Sequence, residues 1–143
     1  MLKGIPERFS PQLMKMMMEM GHGDELVIAD GNFPAASSGP ACIRADGQSI
    51  PPLLKDLLLF LPLDTYVEKP VMLMRPVEKE LVPPIWGEYK NELKEYNCYE
   101  NQIELLDRFD FYERASKAFA VISTSERSLY ANIILKKGVV QNQ

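Results

Sequence analysis

Residues 21–34 read Gly21-His22-Gly23-Asp24-Glu25-Leu26-Val27-Ile28-Ala29-Asp30-Gly31-Asn32-Phe33-Pro34, and this stretch decides the fold. Leu26 to Ala29 is a short, continuous apolar run between two turn-forming clusters. It suits a strand covered on both faces, as the strands of parallel sheets are. The strand delivers Asp30 into the turn Gly31-Asn32-Phe33-Pro34, and in open α/β sheets ligands gather at the carboxyl ends of strands. The turn before the strand carries His22, the only histidine of the chain. Imidazole gives and takes protons near neutrality, so His22 is the obvious candidate for proton transfer. The plainer alternative is a surface or satisfied core histidine. Asp30 has its own plain alternative, a carboxylate that tightens its turn through Asx bonding.

Working outward, apolar runs alternate with helical patterns. Ser10-Pro11 predicts a helix start, with serine as the cap and proline at the first position. The helix runs over 12–20, and Gly21 is expected to end it in the left-handed conformation. Leu13, Met16, Met17 and Met20 form an apolar stripe at helical spacing, while Met14 and Met18 add apolar surface outside it. That surplus fits either core or a subunit interface filled by adaptable methionines.

Strands are expected at 41–45, 71–74, 103–106, 119–122 and 133–135. Further helices are expected from Pro51-Pro52 to Leu61 with Ser49 as cap, after Pro83-Pro84 with Ile85, Trp86, Tyr89 and Leu93 on one face, and over 109–117. The alternation predicts an α/β fold in one domain, 1–143, with helices packed on a largely parallel or mixed sheet.

The 143 residues include 16 basic and 20 acidic side chains, a net charge of −4, with 46% hydrophobic and 25% charged residues. These proportions are those of a globular protein, and they give no basic stripe for nucleic acid. Cys42 and Cys98 stand far apart without metal-ligand spacing, which reads as reduced thiols in the cytoplasm. The longest apolar run, around residues 57–61, is too short to cross a bilayer. Pro6, Glu7 and Arg8 interrupt where the apolar core of a signal peptide would stand. No glycine-rich phosphate loop and no metal-ligand cluster is evident, so neither a metal nor a cofactor is expected. Ser123-Thr124-Ser125 has no partner histidine nearby, which argues against a serine nucleophile.

Several blocks together are distinctive: Gly21-His22-Gly23-Asp24-Glu25, Asp30-x-x-Phe33-Pro34, Ile43-Arg44-Ala45-Asp46-Gly47, residues 108–115, and residues 130–139 starting Tyr130-Ala131-Asn132. In this order, over nearly the whole chain, they resemble the L-fucose mutarotase family, which shares its fold with the ribose pyranases. The resemblance implies His22 as the catalytic group and Asp30, Arg108, Tyr130, Ala131 and Asn132 as sugar contacts. Arg108 stands where the ribose branch has a histidine, which favours the fucose branch. Ala131 stands where some fucose enzymes have glycine. The resemblance also implies L-fucose as substrate, interconversion of its α and β anomers, and a decameric ring with sites near subunit contacts. A pyranase acting on ribose and a non-catalytic sugar-binding protein are the competing readings. Read from the residues alone, Arg108 pairs with Asp107 or Asp110, Tyr130 is a core aromatic, and Asn132 is a turn residue.

Overall fold

Strand β1 (Glu25–Ala29) is buried at every position after its first residue, as its apolar run requires. It lies at the centre of a sheet that also contains β2 (Ala41–Ala45), β3 (Val71–Met74), β4 (Ile103–Leu106), β5 (Ala120–Thr124) and β6 (Ile133–Lys136). The computed structural model describes residues 1–142. The strand order is β2-β5-β1-β6-β3-β4. β1 pairs parallel with β5, in register Val27↔Val121, and antiparallel with β6, in register Ile28↔Ile133. β2 runs parallel to β5, and β3 parallel to β4 but antiparallel to β6. Five strands therefore point one way, and β6 alone runs against them. The sheet is mixed, and five carboxyl ends share an edge with the amino end of β6.

The two-residue pleat sorts each strand between two cores. Leu26 and Ile28 of β1 face a large cluster with α1 (Pro11–Glu19), α2 (Ile50–Leu58) and α3 (Ile85–Lys94). Val27 and Ala29 face a smaller cluster with Phe111 and Ala115 of α4 (Arg108–Ser116) and with Phe33 and Ala35 of the turn after β1. Helices thus cover both faces, three on one side and one on the other. Truncating a fully buried side chain such as Phe111 to alanine removes about 3–5 kcal/mol from this arrangement.

Two expected caps are replaced. Ser10 does cap α1, its hydroxyl accepting from Leu13 N–H at 3.1 Å. The helix nevertheless ends at an extended Met20, and it is Gly23, two residues beyond the expected Gly21, that takes the left-handed φ of +85°. Ser49 makes no side-chain cap at α2; the Glu126 carboxylate accepts from Ile50 N–H at 3.0 Å instead. A carboxylate is the stronger partner for a positive helix end, which is why it displaces the hydroxyl. The methionine surplus divides. Leu13, Met16, Met17 and Met20 are core, whereas Met18 is 80% exposed beside an apolar groove that Met14, Phe9 and Ile5 also line.

Candidate active site

β1 carries a candidate group at each end, and the two ends differ. At the carboxyl end Asp30 is buried, and its Oδ1 accepts from Asn32 N–H at 2.9 Å, so the Asx bond anticipated as the plain alternative does form. One such bond leaves a carboxylate most of its acceptor capacity. Asn132, at the adjacent amino end of β6, accepts Asp30 N–H on its Oδ1 at 2.8 Å. It is buried and bonded across 102 residues of sequence, so it is no ordinary turn residue. Burial raises the Asp30 pKa; hydrogen bonds from Asn32, Phe33 and Asn132 oppose the shift, and the Glu126 charge adds to it.

Tyr130 is half-buried and holds a φ of +56°, rare for a residue with a side chain. Four contacts fix this segment. Trp86 Nε1 donates to Tyr130 C=O at 2.9 Å, and the Tyr89 hydroxyl donates to Ala131 C=O at 2.7 Å. Val77 N–H donates to the Tyr130 hydroxyl at 3.2 Å, leaving the phenolic proton available, and Asn132 is anchored by Asp30. Burial holds the Tyr89 hydroxyl far above its ordinary pKa, so it is a donor at all physiological pH. Ala131 is fully buried with its carbonyl engaged, so it contributes backbone position and no reachable side chain.

Glu126 completes this end. Its carboxylate accepts from Ile50, Arg127 and Ser128 N–H, and its carbonyl accepts from Gly31 N–H at 2.9 Å. Burial pushes the Glu126 pKa up, but these N–H bonds outweigh it and hold the group below its ordinary value. Thr124 Oγ1 bridges the same strands, donating to Ala29 C=O at 2.7 Å and accepting from Glu126 N–H. Beside the group opens a polar cleft of about 770 Å³, lined by the 31–37 turn, Arg44, Asp46 and residues 123–127. Asp30, Tyr130 and Asn132 do not line that cleft, which begins at Gly31, next to Asp30.

Arg108 opens α4 and is exposed. It pairs with neither Asp107 nor Asp110; Asp107 is bound at 2.9 Å by Arg75. The Arg108 guanidinium lies over the rings of Phe109 and Tyr112, 5.6 and 5.7 Å from their centres.

His22 is at the other end of β1. Its side chain is 45% exposed, and its Nε2 lies 3.1 Å from Oδ1 of Asp64, whose side chain is 2% exposed. Burial pushes the Asp64 pKa up, but the Tyr66 N–H bond, the His22 contact and the Lys136 charge pull it net below its ordinary value. An ionised carboxylate only accepts, so Nε2 carries the proton and Nδ1 presents the lone pair. Tyr66 stacks obliquely on the imidazole at 5.3 Å. Asp64 is held by its own N–H to Lys136 C=O and by Gly138, where a Cβ would stand 2.5 Å from Leu63 C=O. Only glycine permits that approach. A five-residue strand is about 16 Å long at ~3.3 Å per residue, so one chain does not bring His22 to Asp30.

Of the six residues singled out by sequence, five therefore share the carboxyl edge of the sheet and His22 stands at the opposite edge. Asp64, Glu126, Trp86 and Tyr89 were not singled out. Glu126 carried a usable signal, being an acidic residue just past a strand like Asp30. Asp64 carried almost none, because its partner is 42 residues away.

The model of the RbsD / FucU transport protein family matches residues 3–140. The chain belongs to that family. It is similar to the fucose mutarotase of Mus musculus, 53% identical over 97% of this chain and 95% of that protein. It is also similar to the L-fucose mutarotase of Haemophilus influenzae, 45% identical over 97% of each chain. Among solved structures, the fucose mutarotase of Streptococcus pneumoniae in complex with L-fucose superposes with a TM-score of 0.94 at 50% identity, covering 98% of this chain and all of that one. The RbsD protein of Bacillus subtilis complexed with D-ribose superposes with a TM-score of 0.75 at 26% identity, covering 99% and all of the respective chains. The α/β fold with a mixed sheet is the one these relatives share.

Proposed function

We propose that this protein is an isomerase, an L-fucose mutarotase that interconverts the α and β anomers of L-fucose. The observation that carries the reading is the near-complete correspondence with an L-fucose-bound mutarotase. The weaker correspondence with a ribose-bound relative favours fucose over ribose as substrate.

Mutarotation is proton traffic around one carbon. A base takes the proton of the anomeric hydroxyl as an acid protonates the ring oxygen; the C1–O5 bond breaks and an open aldehyde forms. Rotation about C1–C2 and reversal of both transfers close the ring on the other face. Proton transfers suffice, and a metal or cofactor has no step to perform. His22 serves as the base through Nδ1, with Asp64 fixing the tautomer and stabilising the imidazolium. Tyr130, whose hydroxyl already accepts from Val77, supplies a proton on the far side of the sugar. Asp30, Asn132 and Arg108 orient hydroxyls, and Ala131 sets the backbone between them.

The separation of His22 from this group supports a site assembled from two copies. His22 and Asp64 of one copy face Asp30, Arg108, Tyr130 and Asn132 of the next. Exposed apolar side chains accompany the His22 end: Leu59, Phe60 and Val140 line one cleft with Asp64, and Tyr66 is 71% exposed. Apolar surface of this kind beside a half-built site supports an interface there. A closed ring of such contacts, a decamer in the cytoplasm, is the assembly we assign.

Exchange NMR on α- and β-L-fucose tests the function. Wild type is expected to accelerate anomer exchange and His22→Ala to lose that acceleration, a drop of about 10²–10⁴-fold. Sugar binding without acceleration by wild type would support the non-catalytic reading, and undiminished exchange in His22→Ala would remove the histidine from the mechanism.

A further inference from the structure

Beside the His22 turn, β1, β6 and α4 build an ion cluster that the mechanism does not use. Glu25 opens β1, and its side chain is 12% exposed. Arg114 of α4 grips both of its oxygens, with Nε at 2.7 Å and Nη2 at 2.6 Å. Lys136, the cross-strand partner of Glu25 on β6, brings a second cation to 3.8 Å from the same carboxylate. That distance is too long for a hydrogen bond, and the arginine fork already engages the carboxylate. One anion between two cations leaves one positive charge over. The neighbouring lysines have partners of their own: Lys117 pairs with Glu113 at 3.2 Å, and Lys137 Nζ donates to Gly138 C=O at 3.1 Å.

The plain reading makes Lys136 a second cation on Glu25. It leaves unexplained why an ammonium is kept three-quarters buried beside a carboxylate that another cation has already neutralised. The explanation lies with the His22–Asp64 pair. The Lys136 stem passes the turn that carries His22, where a side chain at Gly23 would stand 4.0 Å from Lys136 Cε. Its main chain holds the other member, since Lys136 C=O accepts from Asp64 N–H at 3.0 Å. The Lys136 charge is among the influences that hold the Asp64 carboxyl below its ordinary pKa. The remaining titratable groups around the imidazole are Tyr66 on the Asp64 segment, Asp24 in its own turn, Glu25 on β1, Lys137 on β6, and Arg114 and Lys117 on α4. Asp24 is engaged by Gly21 N–H at 2.7 Å. Lys136 is therefore the cation of this group whose charge is left uncompensated.

A carboxylate beside an imidazole stabilises the protonated ring, and a base that holds its proton too firmly fails to return it. We propose that Lys136 is a positioning residue for the His22–Asp64 pair, its ammonium offsetting the Asp64 charge so that the imidazole takes a proton on ring opening and returns it on closure. Glu25 and Arg114 fix where Lys136 ends without cancelling its charge. The proposal rests on His22 being the base of the proposed mutarotase.

His22 is the only histidine, so the imidazole resonances in a proton–carbon NMR spectrum report a single titration. The pH dependence of kcat/KM for L-fucose anomer exchange reports the same group in turnover. Lys136→Met keeps the apolar stem and removes the charge. The NMR midpoint and the acid limb of the rate profile are both expected to move to higher pH by about half to one unit, the effect of one charge nearby in partly solvated surroundings. Lys136→Arg, which keeps the charge, is expected to restore both. A lysine with a merely structural role would lower the melting temperature and move neither. An unmoved midpoint in folded Lys136→Met, or a midpoint in Lys136→Arg displaced as far as in Lys136→Met, overturns the proposal. Should Lys136→Met fail to fold, Lys136→Gln carries the same expectation and the same refutation. A displaced NMR midpoint beside an unchanged rate profile upholds the coupling of Lys136 to the imidazole and removes His22 from the reaction, so the mechanism falls and not the coupling.

Discussion

The two ends of β1 are built on opposite plans. At the carboxyl end, Asp30, Asn132, Glu126 and the 130–131 backbone are tied to one another and to α3 by hydrogen bonds that link segments far apart in sequence. At the other end one exposed imidazole leans on one buried carboxylate. The first plan yields a polar surface held in place by its own hydrogen bonds. The second yields a single half-exposed imidazole oriented by one carboxylate. On the proposed function, recognition and chemistry are separated by the length of a strand, and association of copies is what would reunite them.

The comparison can be broken first at its reactive end. Asp64→Asn replaces an accept-only carboxylate with an amide that can donate as well as accept, so the His22 tautomer is no longer fixed. Exchange is expected to fall by about 10²-fold, the scale of a ~1 Å misplacement of a catalytic group, with sugar affinity nearly unchanged. Kinetics at varied fucose concentration check this, and a change confined to KM would put Asp64 among the binding groups.

The preformed end is expected to fail differently. Tyr89→Phe leaves the Ala131 carbonyl buried without its partner and should cost about 1–3 kcal/mol of stability, visible as a lowered melting temperature. Loss of affinity is expected to accompany it, because Tyr130 and Asn132 flank that carbonyl. Unchanged melting and affinity would show that the α3 contacts do not hold this end.

The smallest effect is in pH. The folded-state pKa values of Asp64 and Glu126 lie below their ordinary 3.8 and 4.5, so their contribution is present above those values and is lost as pH falls toward the depressed ones. Asp30 is shifted the other way. Its carboxylate becomes protonated at a pH above 3.8 as acid is added, so KM is expected to rise before stability begins to decline. Acid titration followed by both kinetics and circular dichroism separates the two. Coincident loss of both would erase the distinction between Asp30 and its structural neighbours.

The elements were largely legible in the sequence because their signals are local. The apolar run of β1, the Ser10-Pro11 start and the leucine spacing of α2 each act within a few residues. The two caps that failed, Gly21 and Ser49, failed because a more distant group won. Glu126, 76 residues from Ile50, supplied the negative charge that the α2 end prefers. For the site, family-like blocks pointed to five residues that lie along one edge of the sheet, Asp30 and the 130–132 segment together and Arg108 three strands away. That His22 lies at the other edge follows from where it stands relative to β1, since residues before and after a strand necessarily sit at opposite ends. Trp86 and Tyr89 were legible as the apolar face of α3 but not as donors to the 130–131 backbone, and Asp64 was not legible at all, because these contacts join segments whose sequences carry no common pattern.

The two-copy site is tested most directly by mixing inactive variants. His22→Ala and Asp30→Asn, each purified, are dissociated, combined and reassembled, and anomer exchange is measured on the mixture. If the site joins His22 of one copy to Asp30 of the next, about a quarter of the contacts in an equal mixture receive both intact groups, and activity returns to roughly that fraction of wild type. Activity no higher than that of the separate variants, in assemblies shown to contain both, would contradict it.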